Sequence, residues 1–158
     1  MVKLIPMTKA EFQAYLEEDI RRYAEANVEA GYWHPSEALE KSRQVHEQLL
    51  PDGLATKNQH LFSIVDEASD KKVGILWVNI NIEAPIPSAF IYDFLIHEDQ
   101  RGEGYGTQAM KSLEDWLQQK NIETVSLHIF ANNKPALKLY EKTGFEITSL
   151  DMRKVLPK

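Results

Sequence analysis

Two segments of this sequence carry chemistry in their residue types and spacing. The first is Gln100-Arg101-Gly102-Glu103-Gly104-Tyr105-Gly106-Thr107, with glycine at three alternate positions. Glycines let a backbone approach a ligand closely, and a helix starting directly afterwards offers free N–H groups and its positive dipole end, which suits a pyrophosphate. Arg101 would add a charge-assisted contact to phosphate, and the Thr107 hydroxyl a further hydrogen bond. The same residues equally describe a tight strand-to-helix turn whose glycines serve packing alone. The second segment is Phe90-Ile91-Tyr92-Asp93-Phe94-Leu95-Ile96, where Asp93 interrupts an apolar run. An unpaired carboxylate there is costly and its pKa is pushed upward, which suits a proton acceptor. A structural carboxylate tied to a neighbouring loop or strand fits the same position.

Other familiar chemistries fail on spacing. A P-loop ends in Gly-Lys-Ser/Thr, whereas Gly106 is followed by Thr107 and Gln108; the dinucleotide fingerprint wants a third glycine where Thr107 stands. The chain has no cysteine, which excludes a disulfide framework, a thiolate metal site and a covalent cysteine nucleophile. Its five histidines lack zinc-like spacing, so no metal is expected. A net charge of −6 argues against nonspecific nucleic-acid binding and weakly favours a cationic or neutral partner. No apolar stretch approaches the ~20 residues of a membrane helix and no signal-peptide core is seen, so the expectation is one cytoplasmic domain over residues 1–158 with no membrane association.

The elements that must position these segments follow from patterning. Thr8 and Glu11 stand in capping-box spacing before a helix with Phe12, Tyr15, Leu16, Ile20, Tyr23, Ala24 and Val28 on one side and Gly31 as its stop. Ser36 can cap a second helix with Leu39, Val45 and Leu49 on one face, so two helices are expected first. Leu61–Val65 and Lys72–Ile82 read as an antiparallel pair of strands, and Phe90–Ile96 as a central strand covered on both faces. Then come a helix over Thr107–Lys120, a strand over Val125–Phe130, a helix opened by Asn133 and Pro135 and stopped at Gly144, and closing strand material over Glu146–Leu156. The result is an α/β fold, a mixed sheet with a parallel pair at its centre and helices on both faces. Open edges among the C-terminal strands would be covered by a homodimer.

Arg101-x-x-Gly104-x-Gly106 resembles the acyl-CoA pyrophosphate loop of the GNAT superfamily of N-acyltransferases. Asn133-x-x-Ala136-x-x-Leu139-Tyr140-x-x-x-Gly144-Phe145 is similar to the same family's signature over its last helix and final strands. The resemblance is specific from Phe90 to Phe145. It implies a sheet splayed between two parallel strands, Phe90–Ile96 and Val125–Phe130, with the pantetheine arm of acetyl-CoA in the gap. Backbone groups near Phe94 and Ile96 would bond that arm. The loop amides of Arg101, Gly102, Glu103, Gly104, Tyr105, Gly106 and Thr107 would hold the pyrophosphate, and Asn133 and Tyr140 would lie near the thioester. Lys138 and Lys142 read as a solvated helix face rather than phosphate contacts.

Acetyl transfer to a primary amine is the activity the resemblance implies. Without cysteine, the amine would attack the thioester directly in a ternary complex. Tyr140 is the candidate general acid, because the family places a tyrosine here; the alternative is a packed core tyrosine. An amine with a pKa of ~10.4 needs a base. Asp93 is the foremost candidate, with His128, Glu83 and Tyr92 behind it, and a water relay would need no single base. Trp33, His34 and Trp77 invite an acceptor-pocket reading by cation–π contact, but core packing suits Trp77 and exposure suits His34. The acceptor, whether small molecule, peptide or protein, is not written in any motif. Rival functions are a noncatalytic acyl-CoA-binding sensor and a binding module with a structural glycine turn.

Overall fold

Five strands and four α-helices follow one another along residues 1–158, all of which the computed structural model describes. In chain order they are β1 (Val2–Pro6), α1 (Lys9–Glu29), α2 (Ala38–Leu49), β2 (Gln59–Asp66), β3 (Lys72–Asn81), β4 (Ser88–Ile96), α3 (Tyr105–Gln119), β5 (Thr124–Leu127) and α4 (Lys134–Lys142). The strands form one sheet in the order β1-β2-β3-β4-β5, antiparallel throughout except for the parallel pair β4 and β5. Parallel neighbours need a crossover, and α3 supplies it. No helix is long and apolar enough to cross a membrane.

Both faces of the sheet are covered, so the central strands are apolar nearly throughout. Phe62, Ile64, Leu76, Val78 and Ile80 join Ala109, Met110, Leu113 and Leu117 of α3 in the larger core. The alternate residues Leu61, Ile75 and Trp77 pack with Phe12 and Tyr15 of α1 in the smaller one. Trp77 is core, as its sequence context suggested, with its indole N–H donating to Gln59 Oε1 at 2.8 Å.

The capping box at Thr8 and Glu11 forms with both reciprocal hydrogen bonds, and Gly31 takes up the left-handed backbone that ends α1, with φ of 82°. Asn133 caps α4, accepting at Oδ1 from the Ala136 amide at 3.3 Å.

Several sequence expectations are corrected. A strand, β1, precedes the two helices; it pairs along β2 from Val2 opposite Asp66 to Pro6 opposite Phe62. Its five residues are too short for a visible alternation, and the β2 edge supplies the missing signal. Ser36 does not cap α2: its hydroxyl bonds His34 Nδ1 at 2.8 Å, and Glu37 stands at the cap without a side-chain bond. The face α2 buries is Ala38, Ser42 and His46, while Leu39 is exposed. β5 ends at Leu127 rather than Phe130, and residues 146–156 form no strand, which leaves β5 as the C-terminal edge of the sheet.

Candidate active site

β4 carries the feature on which the site depends. Trp77 of β3 lies opposite Asp93, whereas the next residue, Val78, lies opposite Ile91, so Tyr92 is an extra residue in a β-bulge. A bulge bends its strand and changes which way the following side chains point. Before it, Ala89 and Ile91 belong to the core beneath α3; after it, Phe94 and Ile96 pack against that same core. Asp93 is thereby turned to the other face, toward α1. Pairing of β4 with β5 also stops at the bulge, the last pair being Ile91 with Leu127.

Beyond that pair the two strands part, as the resemblance implied, and a cleft of about 140 Å³ opens between Tyr92, Asp93 and Phe94 on one side and His128, Ile129 and Phe130 on the other. Asn133, Ala136 and Tyr140 of the α4 region complete its wall. Strict alternation along β5 does not decide which of its residues face the cleft, because consecutive residues from Leu127 to Phe130 all line it. A larger groove of about 390 Å³ between α1 and α2, lined among others by Val28, Pro35 and Leu39, shares none of these residues.

Asp93 is held by α1. Its Oδ2 accepts from the Tyr15 hydroxyl at 2.8 Å and lies 3.3 Å from Arg22 Nη2. The same Arg22 nitrogen is 3.2 Å from Oδ1 of Asp19, whose Oδ2 is 2.8 Å from Nε2 of His46. Burial, and then the negative charge of Asp19, push the Asp93 pKa up to about 7. Asp19 moves the other way, its carboxylate favoured by the His46 hydrogen bond and the Arg22 charge although burial opposes both. His46 is raised because its bonds to Asp19 and to the Ser42 carbonyl outweigh burial. Asp93 is thus tied to α1, as the structural reading of its position expected, while its pKa is pushed up toward neutrality.

Tyr140 is 7 % exposed, its ring set edge-on to Phe94 and Phe145 at centroid distances of 6.3 and 5.5 Å. Burial and the nearby Asp93 charge push its phenol up to about 12, so it keeps its proton at neutral pH. The structure brings Asp93 and Tyr140 to one cleft.

The glycine segment lies between β4 and α3. Gly102 and Gly104 have φ of 82° and 81°, the left-handed region that favours glycine. A Cβ on Gly102 would meet nothing within 4 Å, so conformation rather than crowding requires glycine there. Gly104 is the cap of α3 and makes no side-chain bond to it, which leaves the first-turn amides uncapped by any side chain. Gly106 is different: it is helical, and a Cβ there would stand 3.4 Å from Leu139. Arg101 Nε donates to the Ile96 carbonyl at 3.0 Å, holding the arginine at the strand end. Glu103 and Thr107 are exposed, while Tyr105 packs partly against the larger core. These features fit an anionic ligand: left-handed glycines, uncapped amides and an arginine beside them.

Of the secondary candidates, Tyr92 and His128 line the cleft, whereas Glu83 is exposed in the turn before β4. His34 is exposed, as expected, and Trp33 packs edge-on against Tyr23 rather than into the cleft. Sequence reasoning missed Asp19, Arg22 and His46. The available signal was polar residues at helical spacing within otherwise buried stripes: Tyr15 with Asp19, and Ser42 with His46.

The description of a family model, Acetyltransferase (GNAT) family, matches residues 13–145. The chain is 44 % identical over 155 residues to the uncharacterized N-acetyltransferase YycN of Bacillus subtilis (strain 168), covering 98 % of this chain and 99 % of that protein. It is 34 % identical over 150 residues to YdgE of the same organism, also described as an uncharacterized N-acetyltransferase, covering 95 % of each chain. The crystal structure of YycN, described as a putative acetyltransferase, superposes with a TM-score of 0.96 at 43 % identity over the whole of both chains. With the splayed mixed sheet, the glycine-opened helix and these relatives in agreement, the chain belongs to the GNAT family of acetyltransferases.

Proposed function

We propose that residues 1–158 act as one domain that transfers an acetyl group from acetyl-CoA to a primary amine by direct attack in a ternary complex. The observation that carries this reading is the convergence of Asp93 and Tyr140 on the cleft where β4 and β5 part. The amides from Arg101 to Thr107, with the Arg101 side chain, would hold the pyrophosphate; the backbone near Phe94 and Ile96 would bond the pantetheine arm, and Asn133 would lie toward its reactive end.

Bound acetyl-CoA supplies the activated acyl group as a thioester. Asp93, with a pKa of about 7, is ionised in a useful fraction at neutral pH and can take a proton from the ammonium or the attacking nitrogen. Tyr140 remains protonated and can deliver its proton to the departing sulfur. The different environments of the two groups separate their pKa values in the sense that acid and base roles require. The absence of cysteine excludes an acyl-cysteine intermediate.

Calorimetric titration with acetyl-CoA, followed by an amine panel read out as CoA release, tests the reading. An Arg101→Ala/Gly104→Ala double variant is the loop control. Saturable binding that the variant loses, together with turnover on an amine, is the expected result. No binding by the wild type would overturn it, and binding without turnover across the panel would instead favour acyl-CoA sensing.

A further inference from the structure

A partly buried chain of charged groups runs from α2 through α1 to the cleft. His46, 4 % exposed, faces Asp19 at 2.8 Å; Arg22 bridges Asp19 and Asp93 through one nitrogen at 3.2 and 3.3 Å; and Tyr15 closes the set with its bond to Asp93. Asp93 lines the cleft, whereas Asp19, Arg22 and His46 do not. Placing an imidazole and two carboxyls against one guanidinium where two helices meet β4 is expensive unless their charges balance. We infer that Asp19 and His46 are positioning residues for the reaction: their hydrogen-bonded pair, joined to Asp93 through Arg22, sets the protonation of the Asp93 carboxyl without touching either substrate. This inference rests on the reading of Asp93 as the base.

The direction of control follows from the charges. When His46 is protonated, two cations face two carboxyls and Asp93 can ionise. When it is neutral, Arg22 alone faces both carboxyls, and one proton stays with the pair. Asp19 raises the Asp93 pKa by its charge, while Arg22 and the Tyr15 hydroxyl lower it. The remaining neighbours are Tyr140, on the α4 side of the cleft, and Trp77, directly opposite on β3 and uncharged. His128, just past the end of β5, lines the facing wall of the cleft.

The test is a carbon-13 titration of the full chain labelled at aspartate, with the Asp93 carboxyl resonance assigned by its loss in Asp93→Asn. Asp19→Asn removes the like charge and should lower the Asp93 midpoint by about one pH unit or more. His46→Gln removes the second cation and should raise it. A loosened core that admitted water would instead move both variants downward, toward the ordinary carboxylate value, and that result would overturn the inference. Where His46→Gln does not fold, the imidazole of His46 is read directly: coupling is reciprocal, so Asp93→Asn should lower the His46 midpoint. An Asp93 midpoint unmoved by Asp19→Asn also overturns the inference and leaves the base reading standing. Separately, Asp93→Asn with wild-type CoA release from the amine panel would overturn the base reading, and with it any catalytic role for the Asp19–His46 pair.

Discussion

The Tyr15 hydroxyl donates to Asp93 Oδ2 at 2.8 Å, joining the first turns of α1 to the middle of β4 across 78 positions of sequence. This bond lowers the Asp93 pKa against the upward push of burial. Tyr15→Phe removes it without removing the ring from the smaller core. The expected outcome is a loss of about 1 kcal/mol in stability, measured by urea unfolding, and a higher Asp93 midpoint.

Tyr140→Phe keeps the edge-on contacts with Phe94 and Phe145 and deletes the proton that the proposed mechanism delivers to sulfur. Turnover should fall by about 10²-fold, with acetyl-CoA affinity by calorimetry little changed. Unchanged turnover would return Tyr140 to a packing role.

Stability should decline as pH rises through neutrality. Asp93 holds its proton more tightly in the folded state, about 7 against an ordinary 3.8, so its contribution is complete below pH 3.8 and lost as pH rises through 7. His46 is also raised from 6.5, so it adds a loss in the same direction above that pH. Urea midpoints should therefore fall from about pH 6 to pH 8.5, and Asp93→Asn should flatten that fall.

Glu11 works in the opposite sense at acid pH. The Lys72 ammonium first, then the Thr8 amide, lower its pKa from 4.5 to about 2, and Ser63 donates to its Oε2 at 3.0 Å. Its contribution is present above pH 4.5 and lost as pH falls through 2. Glu11→Ala breaks the capping box and should cost about 1 to 2 kcal/mol at pH 7, little of it from the exposed Lys72 pair. The difference from wild type should narrow in thermal melts near pH 2.

Gly102→Ala and Gly104→Ala should each cost roughly 1 to 2 kcal/mol, since alanine must adopt a positive φ although neither site is crowded by backbone. Gly74→Ala should be far worse. Its Cβ would collide with the Leu95 carbonyl across the β3–β4 pair, so failure to fold is the expected outcome in a solubility and circular dichroism screen.

Much of the frame was legible because it rests on local chemistry. Thr8 with Glu11, Gly31, Asn133 with Pro135, and the glycines after β4 are residues whose backbone or capping demands are met within a few positions. The apolar runs of β2, β3 and β4 likewise announced strands with both faces covered. The short β1 had no such signature, and its place at the sheet edge came from pairing with β2. Residues 146–156 were expected to supply closing strand material, but no strand forms there, since composition alone does not supply a pairing partner.

The sequence by itself determined that Asp93 would be a costly carboxylate in an apolar strand and that the glycine loop would open a helix behind it. Only the tertiary structure decided which way Asp93 points. Period-two alternation assigns it to the face of Ala89 and Ile91, and one extra residue at Tyr92 reverses that assignment. The reversal delivers Asp93 to Tyr15, Arg22, Asp19 and His46, groups from two helices that no local pattern links. Burial raises the pKa of this carboxyl, the direction its apolar strand announced, and the charges of Asp19 and Arg22 with the Tyr15 bond then adjust it, so its value near neutrality belongs to the fold.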